Sequence, residues 1–262
     1  MSYALHDSAT MLRRNLRHAL RYPSMTIATI AGPVLMLLLF DYAFGGALGT
    51  GIGGAASDGG HYIDYLAPGI ILMAATSGSV ATAVAVCTDM TEGIINRFRT
   101  MAISRSSVLT GHVVGSTIQT LVSIVFVIAV ALALGFRPTA GPGDWLAAIG
   151  LLVLVTFALT WLSAAFGLVT SSPEAASNAP LAFQFLPFLG SAILPTDSMP
   201  AGMRVFAENQ PFTPIIETLR GLLMGTAIGD SAMLAVGWCA ALALVGYLWA
   251  RRAFNRPRTR LA

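Results

Sequence analysis

The chain has 262 residues, 55% of them hydrophobic and only 10% charged, under half the roughly 25% charge of a soluble domain. That composition excludes an ordinary water-facing globular protein, and a formal charge of +3 segregated by loop leaves no footprint of a nucleic-acid binder. All fifteen basic residues are arginine; a G-x-x-x-x-G-K-[ST] phosphate loop needs its lysine, so any ATP-driven work must draw on another chain.

Residues 1–22 place Leu12, Leu16, Ala19 and Leu20 on one side of a helix and Arg13, Arg14, Arg17 and Arg21 on the other. This is the pattern of an amphipathic helix lying in a membrane interface, its arginines toward phosphate and water. Tyr22-Pro23 breaks it and turns the chain into a first span at about 24–44. The apolar stretch is longer than the 7–15 residues of a cleaved leader, so it is read as a retained span. A Gly- and Ser-rich loop over 45–61 leads to a second span at 63–87, interrupted by Pro68-Gly69 near its start. Charged residues 88–106 follow, then spans at 107–136, 145–170 and 176–194. Four prolines break up residues 195–231, where short outer re-entrant helices fit better than a span. The last span is 232–250, and residues 253–262 form a basic tail. The expected fold is all-α and polytopic, one six-span domain over 23–252, each span long enough for about 30 Å of hydrocarbon.

Arginine counts orient the chain. With both termini in the cytoplasm, the inner segments carry twelve arginines and the outer ones only Arg137, Arg204 and Arg220, a strong positive-inside bias. An inner or plasma membrane location follows.

No enzymatic constellation stands out. The four histidines (His6, His18, His61, His112) lack H-E-x-x-H spacing, and Cys87 and Cys239 read as small apolar residues rather than metal ligands. No ionisable residue lies at a span centre, where it would cost about 2.5–3.5 kcal/mol; Asp41, near the end of the first span, reads as an interface residue. This argues against a proton- or ion-coupled transporter. Neutral polar groups inside spans either bond neighbouring helices or line a substrate path. The candidates for a path are Thr76, Ser77, Ser79 and Gln184, together with Phe188; Gln119 and Ser163 are weaker ones.

In the inner segment 88–106, Glu92 suits the start of a helix on which Ile94, Ile95, Phe98 and Met101 share a face beside Arg97 and Arg99. Such a short amphipathic helix either lies on lipid or docks a soluble partner. Three stretches then resemble one family: Arg21-Tyr22-Pro23 with Gly32-Pro33 and Phe44-Gly45; Glu92-Gly93, Arg97 and Ile103-Ser104-Arg105; and Ser198-Met199-Pro200, Asn209-Gln210-Pro211-Phe212-Thr213-Pro214 and Leu219-Arg220-Gly221. Taken in order over nearly the whole chain, they resemble the ABC-2-type transporter permeases, in particular the daunorubicin-resistance (DrrB-like) efflux branch. Family members often carry proline where this chain has Ala102.

The resemblance implies a half-transporter. Two six-span permeases, more readily identical than different, assemble with two ABC ATPase subunits that hold the ATP and magnesium. It further implies that helix 7–22 is a connecting helix and that Glu92–Met101 is the coupling helix, with Glu92, Ile95, Arg97, Phe98, Arg99 and Met101 meeting the ATPase. The expected function is export of an amphipathic or hydrophobic compound such as a drug, an antibiotic or a lipid, without catalysis in this chain. The alternatives are a membrane scaffold or assembly protein, and a secondary transporter or channel.

Overall fold

A computed structural model describes residues 23–46, 62–91 and 105–255. Among them every regular element is helical: α1 (Pro23–Leu38), continued by a π-helical turn at Leu39–Phe44; α2 (Tyr62–Thr91); α3 (Arg105–Leu134); α4 (Pro142–Val169); α5 (Pro173–Asn178); α6 (Leu181–Phe185); α7 (Ala201–Asn209); α8 (Phe212–Met224); and α9 (Ser231–Asn255). Four helices are long and apolar enough to cross a bilayer, Tyr62–Thr91, Leu109–Leu134, Pro142–Val169 and Ser231–Phe254, with a shorter apolar helix at Thr29–Phe44. The connecting helix, the Glu92–Met101 segment and the end of the basic tail lie outside the described residues.

The centre of the bundle is α2. It packs against α1, α3, α4, α5 and α8, and Leu66, Ile70, Ile71 and Leu72 are wholly buried. Pro68 does not interrupt it: the helix is continuous through the Pro68-Gly69 step that reads as a break in the sequence. Packing on several sides holds the helix through that step, as a membrane bundle permits. Its small residues set the spacing. A Cβ on Gly78 would stand 2.3–2.8 Å from Thr120 of α3, so only glycine allows that approach. On the far side, Gly246 of α9 lies against the backbone of Trp161 and Leu162 in α4. There Trp161 meets Tyr247 edge to face at 5.1 Å and Phe166 meets Trp249 at 4.9 Å. The outer face of α9, including Met233, Leu234, Val236 and Leu244, is exposed and apolar, as a lipid-facing surface requires.

The expected fifth span, 176–194, is not one helix. Ser172 caps α5 by accepting the Ala175 N–H at 3.2 Å. Pro180 then ends α5 and starts α6, Pro187 lies in a 3₁₀ turn at Leu186–Leu189, and Gly190 leaves the helix. Each proline removes a backbone donor and clashes with the preceding turn; α2 absorbs one such residue, but here two prolines seven residues apart and Gly190 divide the apolar run. It nevertheless follows α2 from end to end. Thr170 O lies by Cys87 at 3.7 Å, Gln184 by Ser77, Ser191 by Tyr65, and Ile193 by Tyr62.

Residues 195–230 hold two short helices, α7 and α8, joined at Gln210-Pro211 and not a span, as the proline pattern leads one to expect. From its start near Gln210, which reaches Leu186, α8 slants for about 20 Å to Leu223. The Leu223 carbonyl accepts from Thr139 and Ala140 in the turn between α3 and α4. Gly225 closes α8 in the left-handed conformation, at φ +68°.

Candidate functional site

Breaking a helix inside a membrane leaves carbonyls without their usual donors, and each must be satisfied within the protein. Here side chains from α2 and α8 do so. The Ser191 carbonyl accepts from Tyr65 Oη at 3.1 Å and from Arg220 Nη2 at 2.7 Å, and Tyr62 Oη donates to Ile193 O at 3.2 Å. The same Arg220 donates to Tyr65 O through Nε and Nη2 at 3.3 and 3.2 Å, and its guanidinium carbon lies 3.7 Å from the centre of the Tyr65 ring. A planar fork that bridges two carbonyls over an aromatic face suits arginine and no other residue. At the joint between α7 and α8, Gln210 Nε2 donates to Leu186 O at 3.1 Å and to Thr213 Oγ1 at 3.2 Å. A Cβ on Gly190 would fall 2.1 Å from Gln210 Nε2, so this joint also requires glycine.

Of the path candidates, Ser77 and Gln184 meet, with Gln184 Nε2 donating to Ser77 Oγ at 3.4 Å, half-buried between α2 and α6. Thr76 and Ser79 are buried on α2 with their hydroxyls turned back to Met73 O and Thr76 O. Phe188 packs on the core beside Phe185, which is 57% exposed. Arg13, Arg14, Arg17 and Arg21 lie outside the described residues, as do Glu92, Ile95, Arg97, Phe98, Arg99 and Met101.

Sequence reasoning passed over two arrangements. One is the Tyr62, Tyr65, Gln210 and Arg220 brace; an arginine set among Ile215, Ile216, Leu219, Leu222 and Leu223 was its signal, because such a charge needs a fixed partner. The other is a pair between His112 Nε2 and Asp89 Oδ2 at 2.8 Å, both groups largely buried. It ties α2 to α3 at the ends from which residues 92–104 depart. On α7 Arg204 bonds Glu208 at 2.9 Å and also pairs with Asp197. These two carboxylates, the Glu208 hydrogen bond foremost, hold the guanidinium above its ordinary pKa.

Comparison with known proteins places the chain in a family. The family model of the ABC-2 type transporter matches residues 7–224. The chain belongs to that family. Among similar ABC-2 proteins is the daunorubicin resistance ABC transporter permease protein DrrB1 of Streptomyces coeruleorubidus, 28% identical over 225 residues, or 86% of this chain and 77% of the relative. The probable doxorubicin resistance ABC transporter permease protein DrrC of Mycobacterium tuberculosis is 24% identical over 217 residues, covering 83% and 78%. The putative transport permease ycf38 of Porphyra purpurea is 26% identical over 225 residues, covering 85% and 75%. The efflux-permease resemblance read from the three motifs is thus correct, and the chain is a multi-pass ABC-2 membrane protein whose relatives are permease subunits.

Proposed function

We propose that this chain is the permease subunit of an ATP-driven exporter that moves an amphipathic or hydrophobic compound out of the cell. The observation that carries this reading is the broken segment 173–193 laid along the buried α2 of an ABC-2 chain, with Gln184 and Ser77 touching at mid-length. A packed interior is bistable rather than continuously deformable. An interrupted helix beside a rigid one is therefore the element able to take two positions without unfolding a span.

In this reading residues 176–194 are the fifth of six crossings, and α7–α8 re-enter from the outer face. Both termini are cytoplasmic, in agreement with the arginine distribution. Residues 7–22 form the connecting helix. Glu92, Ile95, Arg97, Phe98, Arg99 and Met101 contact a separate ABC ATPase that holds ATP and magnesium. A second copy of the chain, bedded in lipid, completes the pump. Closure of the ATPases on ATP displaces the inner loop and tilts α2 and the fifth crossing, and the shift is driven by the partner's unequal affinity for the two states. The exposed Leu181, Phe185 and Leu189 on the broken crossing, beside the Ser77–Gln184 contact, suit an amphipathic solute. The drug-resistance names of two relatives favour an export role over a scaffold.

The test is an affinity pull-down of the tagged chain from mild detergent, followed by an ATPase assay on the eluate. A nucleotide-binding subunit in fixed ratio is expected, and charge reversal at Glu92 is expected to cut substrate-stimulated hydrolysis with membrane insertion intact. A chain recovered alone, under conditions that keep other ABC pumps assembled, would favour the scaffold or the secondary transporter.

A further inference from the structure

Helix α2 ends at Thr91 and α3 starts at Arg105, and a polar contact ties their facing ends. His112 Nε2 donates to Asp89 Oδ2 at 2.8 Å, with the two side chains 5% and 15% exposed. Asp89 lies in the last turn of α2, and His112 stands about 10 Å along α3 from its start. The pair is therefore at the base of the inner segment that joins the two helices. Its surroundings are apolar: Leu109 and Val113, beside His112 on α3, share a buried cluster with Val86 of α2 and Leu168 of α4. Apolar side chains of similar size would hold such a contact as firmly, because desolvation of a buried pair offsets most of its attraction. What a hydrogen bond adds is direction, which fixes how the two helices stand to each other. On the other side of the same turn, about 200° around the helix, Cys87 is wholly buried and its Sγ lies 3.7 Å from Thr170 O at the end of α4. The last turn of α2 is thus gripped by α3 through Asp89 and by α4 through Cys87.

We propose that the His112–Asp89 pair is a positioning clasp that makes the facing ends of α2 and α3 move as one body when residues 92–104 are displaced. Both residues act through the helices that carry them. The clasp deepens the exporter reading and rests on it for its part in transmission, but its closure is measurable on the chain alone. With the clasp open, a push on the inner segment is lost in separating the two helices. With it closed, the push reaches α2 and, through α2, the broken stretch that lies along it.

The test treats the full chain, in phosphatidylcholine nanodiscs, with N-ethylmaleimide and follows its two thiols separately by peptide mass spectrometry. A buried thiol reacts through local opening, so Cys87 reports the last turn of α2, and Cys239, buried in α9, is the internal control. Asp89→Ala and His112→Ala are each expected to speed modification of Cys87 about tenfold, the effect of losing one hydrogen bond to a charged group, with Cys239 unchanged. Asp89→Asn, which keeps the size of the side chain, is expected to give a smaller acceleration, again at Cys87 alone. The exchange of Asp89→His with His112→Asp rebuilds the pair with its ends reversed and is expected to restore the slow rate. Cys87 rates unchanged in the single variants, or as fast in the exchange as in the singles, overturn the clasp. Equal acceleration of both thiols, in Asp89→Asn as in the alanine variants, marks general loosening and also overturns it. On preparations that retain the ATPase, the alanine variants are expected to lose daunorubicin-stimulated hydrolysis and the exchange to regain it; stimulation untouched by an open clasp overturns its part in transmission. If no ATPase is recovered, the exporter reading falls, and the thiol rates still decide the clasp.

Discussion

Two neighbouring stretches run the same length of the bundle in opposite ways. Helix α2 does it in thirty continuous residues, carried through Pro68. Segment 173–193 does it in three short pieces interrupted by Pro180, Pro187 and Gly190. The first is held mainly by packing and its own turns, with Arg220 adding donors to Tyr65 O. The second needs borrowed donors, and Tyr62, Tyr65, Gln210 and Arg220 provide them to Leu186 O, Ser191 O and Ile193 O. The difference shows how a chain with few charges deploys its polar side chains: four of them gather where the backbone opens.

If that account holds, the largest effect comes from the fork that bridges both stretches. Arg220→Leu leaves Ser191 O with the Tyr65 hydroxyl alone and strips Tyr65 O of its guanidinium donors, and is expected to cost about 2–3 kcal/mol, read as a lower melting midpoint in detergent. Arg220→Lys is expected to recover less than half of that, since a single ammonium cannot reproduce the planar fork. Full recovery by lysine would reduce the brace to simple charge.

A second substitution strikes the contact from the side of α2. A Cβ on Gly69 would stand 2.6–2.8 Å from Ala192 O, Cα and Cβ, so Gly69→Val must push the broken segment outward, at about 1–3 kcal/mol. Limited proteolysis in nanodiscs should then cut around 190–195 before any site in α2. Gly190→Ala acts on the other side of the same joint. Its methyl displaces the Gln210 amide from Leu186 O, for about 1 kcal/mol, and the expected readout is a smaller midpoint shift.

Which parts of this were legible in sequence follows the same division. The helices at 62–91, 105–134, 142–169 and 231–255 agree within a few residues with spans read from apolar length, because a bilayer imposes length and little else. The break at Pro187 was in plain sight, yet nineteen mostly apolar residues outweighed it; whether a membrane proline ends a helix depends on tertiary neighbours that can satisfy the freed backbone. Pro68 illustrates the converse, since α2 runs straight through it. Gln184 with Ser77 could be anticipated as polar groups inside spans. Arg220 could not be assigned, because its partners are carbonyls and every residue carries one of those.

The smallest expected effect lies at the first turn of the broken stretch, where Glu174 opens α5. Its carboxylate accepts from its own backbone N–H and from the Ser172 hydroxyl, which holds its pKa below the usual 4.5, and it is fully exposed. A depressed carboxylate stabilises the fold above its unfolded value, and that contribution disappears as pH falls through the folded one. Glu174→Gln is therefore expected to lower the melting midpoint slightly at pH 6–7, by less than Gly190→Ala does, and the gap should close well below pH 4.5. Because solvent screens the charge, the effect should also shrink in high salt, whereas the Arg220 and Gly69 effects should not. A gap that persists at low pH would mean that Glu174 acts through its shape at the cap rather than its charge, making the start of this stretch as dependent on packing as α2.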